Sequence, residues 1–223
     1  MSDNDIMPFD LPTEESNIIK VIGVGGGGGN AVKNMYQTGI KNVSFVLCNT
    51  DNQALAKSSI PVKLQIGRNT TKGLGAGNDP EVARQAAEEN IEDIRAQFQD
   101  STEMVFITAG MGGGTGTGAA PVVARAAKEA GVLTVGVVTK PFRFEARNRM
   151  NNALAGIERL KENVKEMDML FFSLYPEALE RSLNEFCPLL KKGAVVLDCC
   201  GNKRRVVSQM KDLAKKYGDL EFI

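Results

Sequence analysis

Residues 18–30 read Ile18-Ile19-Lys20-Val21-Ile22-Gly23-Val24-Gly25-Gly26-Gly27-Gly28-Gly29-Asn30, an apolar run that ends in five consecutive glycines. The run has the β-branched content of a buried strand and is followed by a helical pattern, so the glycines lie where a strand hands over to a helix. A second handover comes about 85 residues later, where Met104-Val105-Phe106-Ile107-Thr108 leads into Gly110-Met111-Gly112-Gly113-Gly114-Thr115-Gly116-Thr117-Gly118. At each, main-chain N–H groups at a helix N-terminus can face an anion. Thr115 and Thr117 add hydroxyls, and the helix dipole favours negative charge. Two such loops at strand ends predict opposite walls of one phosphate pocket. A bulky residue at Gly114 is expected to abolish binding there.

Two other readings of the glycines stay open. Glycines also serve tight turns and close helix–sheet packing. The first loop moreover spells Gly23-x-Gly25-x-x-Gly28, a dinucleotide fingerprint, and Asp51 lies 23 residues beyond Gly28, where a ribose-binding acid belongs. That pattern fits an NAD site, although it has no use for five consecutive glycines or for a second loop.

Outward from these loops, short β-branched runs alternate with helical stretches. Strands are predicted at 18–24, 43–48, 62–66, 103–109, 132–138, 168–173, 193–197 and 219–223. Helices are predicted at 28–39, 80–98, 116–130, 145–163, 176–190 and 203–216, with a short helical turn at 52–57. Pro80 after Asn78-Asp79 is good helix-start chemistry. The alternation predicts an α/β fold: a three-layer, Rossmann-like sandwich with a mostly parallel sheet and the phosphate site at the strand C-termini. Residues 1–16 are acidic and aperiodic and read as a flexible leader, with residues 17–223 forming a single α/β domain.

Composition narrows the chemistry. The 223 residues balance 27 basic against 27 acidic side chains, which argues against a dedicated nucleic-acid or anionic-membrane binder. The Lys203-Arg204-Arg205 cluster reads as an exposed first helical turn. No apolar run approaches the roughly 20 residues of a membrane span, and the N-terminus is no signal peptide, so a cytoplasmic location is expected. Cys48, Cys187, Cys199 and Cys200 lack metal-ligand spacing and read as reduced thiols. The chain has no histidine, which excludes a Ser-His-Asp triad, a Cys-His pair and any His-ligated metal. No catalytic residue and no metal site is assigned.

Two further loops carry candidate residues. Thr70-Thr71-Lys72-Gly73-Leu74-Gly75-Ala76-Gly77-Asn78-Asp79-Pro80 could close over a terminal phosphate, or be a mobile surface loop. Thr139-Lys140-Pro141-Phe142-Arg143-Phe144-Glu145-Ala146-Arg147-Asn148-Arg149 follows a strand and opens a helix. There Glu145 could accept from ribose hydroxyls and Arg149 approach phosphate, or Glu145 could simply cap the helix.

In order and spacing, GGGGGNAV, NTDNQAL, TKGLGAGNDPEVA, GMGGGTGTGAAPVVA and TKPFRFEARNR resemble the successive nucleotide loops of the FtsZ family, bacterial relatives of tubulin. The match covers about residues 17–164, with the signature GGGTGTG intact at Gly112–Gly118. The resemblance implies GTP or GDP, with Mg²⁺ accompanying GTP, and phosphates held by Gly26 to Asn30 and Gly112 to Thr117. It places the ribose near Thr139, Pro141 and Glu145, with Arg149 close by, and makes Thr71 to Gly77 the sensor of the γ-phosphate.

Beyond about Val164 the pattern departs. The family's Asn-Asp motif, its guanine-reading central helix and the acidic loop that completes a neighbour's GTPase site are not found. Residues 165–223 instead resemble the later half of the NAD-binding domain of prephenate or arogenate dehydrogenases, through Tyr175-Pro176-Glu177-Ala178, Asp198 and Gly201-Asn202-Lys203. The whole reads as a chimera, natural or engineered: a guanine-nucleotide-binding domain with hydrolysis and filament assembly impaired, and self-association through an exposed sheet edge still open. The competing expectations are an NAD-binding dehydrogenase-type module and a folded domain that retains no ligand.

Overall fold

Strand β1 (Ile19–Val24, IKVIGV) is buried on both faces from Lys20 onward. A strand with no solvated face belongs inside a parallel sheet covered by helices on both sides. The computed structural model describes residues 17–141, 144–164, 169–172, 183–185, 187–198 and 203–222. In it β1 pairs in parallel with β2 (Ser44–Asn49) on one side and β4 (Met104–Gly110) on the other. Strands β3 (Val62–Gln65) and β5 (Leu133–Thr139) complete a five-stranded, all-parallel sheet of order β3-β2-β1-β4-β5. A second parallel sheet, β6 (Met169–Phe172), β7 (Val195–Asp198) and β8 (Glu221–Phe222), begins beside β5. The predicted Rossmann-like α/β layout is therefore present.

Helix α1 (Gly25–Gln37) covers one face of the sheet, where Val32 packs with Val21, Phe45, Leu47, Leu55 and Ile60. The other face is covered by α4 (Pro80–Glu89), α5 (Ile91–Ala96), α6 (Thr115–Glu129) and α7 (Arg147–Val164). There Ile22, Val24, Val105 and Ile107 of the strands meet Ala87, Ile94, Val123 and Ile157 of the helices. Helix α6 is rich in Gly, Ala and Val and is buried all round from Gly116 to Ala124, because it lies between the sheet and α4. The approach is closest at Gly118, where a Cβ would stand 1.9 Å from the Pro80 carbonyl oxygen. Helix α8 (Lys203–Lys216) lies in the later part of the chain, whose own apolar cluster is Leu183, Cys187, Val196, Met210 and Leu213. Among the described residues no helix is long and apolar enough to cross a membrane.

The structure departs from the expected elements in three places. The predicted helix 28–39 begins at Gly25, because the glycines themselves form its first turn. The predicted single helix 80–98 breaks at Asn90 (φ −111°, ψ 30°), whose side chain accepts the Gly67 N–H at 2.8 Å. A short helix, α3 (Arg68–Thr71), occupies the start of the third loop, and α2 (Asn52–Ala56) is the expected short turn. Of the predicted helix 176–190, residues 183–185 are helical and Cys187–Leu189 is a 3₁₀ turn, while 176–182 and 186 lie outside the described residues. Cys48 and Cys187 are free and buried, and burial pushes the Cys48 thiol up to about 12, leaving it inert as a nucleophile. Cys199 and Cys200 lie outside the described residues.

Lys20 is the one charged residue among the buried residues described. Its ammonium donates to the Gln97 carbonyl at the end of α5 and to Asp100 Oδ2 at 2.7 Å. Burial raises the Asp100 carboxyl, but the Lys20 ammonium and the Thr102 hydroxyl outweigh it and hold the group below its ordinary value. A carboxyl lowered in the folded state stabilises the fold above its unfolded pKa, and that contribution fades as pH falls through the lower folded value. Asp100→Asn is expected to cost about 1 kcal/mol at pH 7, a figure already reduced for solvent screening of a half-exposed carboxylate. Urea melts should show this deficit shrinking below about pH 4; a deficit equal at pH 3 and pH 7 would remove the ion pair as its source.

Candidate phosphate-binding site

The sheet order reverses between β1 and β4, and the helices that leave these two strands diverge to opposite faces. The crevice at their C-terminal ends is the usual ligand position in such sheets. Both glycine loops lie there. Helix α1 has no side-chain cap at Val24 and no acid in its first turn; α6, opened by Gly114, has neither as well. Their first amides are thus left to an outside acceptor, and both dipoles point their positive ends at the crevice.

The two loops touch directly. A Cβ on Gly25 would stand 2.7 Å from the Gly116 nitrogen, and one on Gly27 3.1 Å from Gly110 Cα. Gly28 is held by packing, since its Cβ would reach the Thr108 carbonyl oxygen at 2.1 Å. Within the second loop the Gly112 N–H donates to Thr117 Oγ1 at 2.8 Å. Gly112 itself has φ +104° and would meet Pro141 at 2.6 Å and the Arg149 carbonyl at 2.8 Å. Pro141 and the start of α7 therefore border the second loop, and Thr139 joins them through its carbonyl, which accepts the Met111 N–H at 3.0 Å.

Gly26 and Gly113 differ from the rest. Nothing lies within 4 Å of a Cβ on Gly26, and only Asn78 Oδ1, at 3.8 Å, approaches one on Gly113. Neither has a positive φ. The protein's own packing needs no glycine at either place, and both lie within two residues of an uncapped helix start. A polyphosphate chain reaching those helix starts would find neither position filled by a side chain. Gly114, by contrast, would carry its Cβ to 3.0 Å from Ala76 Cβ and from the Asp79 nitrogen. A bulky residue at Gly114 disturbs the third loop as well, so loss of binding in such a variant says less than the sequence implied.

The third loop, residues 67–79, brings Ala76 and Asn78 against Gly114 and Gly113. Its turns use Gly75 (φ +88°) and Gly77 (φ +57°). Thr71 is buried and its hydroxyl donates to the Gly67 and Thr50 carbonyls at 2.8 and 3.3 Å, so it fastens the loop. Asp51 caps α2, accepting the Ala54 N–H at 3.0 Å through Oδ1. Glu145 and Arg149 pair at 2.6 Å, one helical turn apart. Asn30 is exposed on the first turns of α1. The structure therefore gathers the glycine loops, the third loop, Thr139 and Pro141 at one end of the sheet.

Sequence reasoning missed Thr50, whose hydroxyl lies 2.7 Å from that of Thr115 and joins the end of β2 to the head of α6. Its signal was the Asn49-Thr50-Asp51 run directly after β2. It also missed Asn152, which reaches from α7 to the Asn78 carbonyl at 3.2 Å, a contact no local pattern announces. No group of three or more Cys, Asp or Glu placed to hold a metal occurs among the described residues.

Fold and site together define a class: a doubly wound parallel α/β domain with two uncapped glycine-rich helix starts facing one crevice. The chain belongs to the Tubulin/FtsZ family, GTPase domain, which matches residues 18–172. It is 62% identical over 148 residues to the cell division protein FtsZ of Porphyromonas gingivalis, covering 66% of this chain and 32% of that protein. To the cell division protein FtsZ of Aquifex aeolicus it is 58% identical over 145 residues, covering 65% of this chain and 39% of that one. Among solved structures, an empty FtsZ dimer from M. jannaschii superposes with TM-score 0.66 at 37% identity, covering 92% of this chain and 55% of that one. The chain thus spans about a third of the length of the curated relatives it matches.

Proposed function

We propose that this chain binds GTP and GDP, with the phosphates on the amides of Gly26 to Asn30 and Gly112 to Thr117 and the ribose toward Thr139 and Pro141. The observation that carries the reading is the pair of glycines, Gly26 and Gly113, that the fold leaves open before two uncapped helix N-termini. In this reading Gly75, Ala76 and Gly77 of the third loop lie beside the terminal phosphate, and Glu145 and Arg149 flank the ribose side. Mg²⁺ would enter with GTP, neutralising phosphate charge while keeping most of its water.

Residues 173–223 follow the end of the family match, and their sequence supports the finer part of the proposal. The family's guanine-reading and acidic-loop motifs are not found in them, so base selectivity should suffer more than phosphate recognition. Hydrolysis by this chain alone should be slow and FtsZ-type filaments should not form, which leaves sheet-edge self-association as the form open to it. The same residues carry the dehydrogenase-like motifs, and we place them as the later half of one α/β domain, residues 17–223, in a cytoplasmic protein.

Calorimetric titration with GDP, GTP, ATP and NAD⁺, at matched salt and with Mg²⁺, tests the proposal. The expected outcome is tighter binding of GDP and GTP than of ATP, and no NAD⁺ binding. Preference for NAD⁺ would replace the reading with a dinucleotide site. A folded sample that binds none of the four would refute it.

A further inference from the structure

The third loop is fastened to both ends of one helix. At its far end Asp79 caps α4, accepting the Glu81 and Val82 N–H groups at 2.8 and 3.4 Å. At its near end the last residue of α4, Glu89, accepts four hydrogen bonds from two residues of α3. These come from the Asn69 N–H and side-chain amide, both at 3.0 Å, and from the Thr70 N–H at 3.0 Å and hydroxyl at 2.7 Å. Beside it Asn90 accepts the Gly67 N–H at 2.8 Å. Gly67 lies so close to α4 that a Cβ there would meet Ala86 Cβ at 2.3 Å. A carboxylate exposed to solvent has no need of this arrangement for its own hydration; all four donors instead fix α3 to the end of α4.

We propose that Glu89 and Asn90 are positioning residues: a latch that holds the third loop stretched along α4, with Ala76 and Asn78 pressed against the second glycine loop. From the latch, Thr71 carries the connection to the Thr50 carbonyl and the Thr50 hydroxyl carries it to Thr115 at the head of α6. The two residues touch no nucleotide. They set where the loop stands when a terminal phosphate arrives, so they act on GTP and leave GDP largely unaffected. This inference rests on the guanine-nucleotide reading above, with the third loop beside the terminal phosphate.

The test is calorimetry of GDP and of a slowly hydrolysed GTP analogue on the parent chain, Glu89→Gln and Asn90→Ala, each checked by thermal melting. Glutamine offers one acceptor oxygen and places an amide NH₂ against the remaining donors. Both variants are expected to bind the GTP analogue about tenfold more weakly and GDP within about twofold of the parent. Equal weakening of both nucleotides, or of neither, in whichever variant melts as a folded protein, would overturn the latch while leaving the binding site in place. A parent chain that binds neither nucleotide would overturn both readings.

Discussion

Gly26→Val is expected to weaken GDP and GTP binding at least about 100-fold, a loss of roughly 2.7 kcal/mol, while leaving the nucleotide-free melting temperature within about 2 °C. The reasoning is geometric. Position 26 has a backbone that any residue can adopt, and its Cβ would meet no protein atom within 4 Å. Removing a helical glycine by itself adds a few tenths of a kcal/mol of helix stability. A valine there finds no protein atom near its Cβ, so in the proposed reading its cost falls on a nucleotide bound before the α1 amides. Calorimetry and melting on the same preparation separate the outcomes. Unchanged affinity would take the first loop out of the site, and a large fall in melting temperature would show that Gly26 is needed for packing.

Gly118→Val carries the opposite expectation: a loss of about 3 kcal/mol or more, and a melting temperature roughly 6–12 °C lower. Its Cβ would stand 1.9 Å from the Pro80 carbonyl oxygen and 2.9 Å from both Ala83 Cβ and the Arg84 nitrogen. Two of those three atoms are main chain and cannot rotate away, so α4 and α6 must separate. Helix α6 has the sheet behind it, and its Ala119, Ala120, Val123 and Ala127 are fully or almost fully buried there, which leaves nowhere to retreat. Gly136→Ala, in open space on β5, is the control and should melt like the parent. Similar melting for Gly118→Val and the control would show that the two helices are not held at this distance.

The contrast between these two glycines shows what the sequence could and could not reveal. A run such as Gly25 to Gly29 announces a strand-to-helix turn with open amides, and the places of β1, β2, β4 and β5 along the chain, although not their order in the sheet, were legible from their apolar runs. Which glycine serves packing and which leaves room for a ligand was not legible, because the neighbours are far along the chain: Thr108 for Gly28, Pro80 for Gly118. The break in the helix after Glu89 was hidden for the same reason. Nothing local forbids residues 80–98 from being one helix; the cause is the Asn90 side chain accepting an amide 23 residues upstream. The Thr50–Thr115 contact likewise joins two handovers that are 65 residues apart. Asp51 carries a task its place near the end of the second strand did not announce: its side chain caps α2.

The sheet order has one more consequence. The described residues that border the crevice belong to β1, β2, β4, β5, the segments that leave them and the third loop after β3, whereas β7 and β8 pack around a separate apolar cluster. The crevice and the second sheet therefore rest on different apolar clusters. A substitution among Leu183, Val196, Met210 and Leu213 loosens the second cluster without touching a described residue that borders the glycine loops.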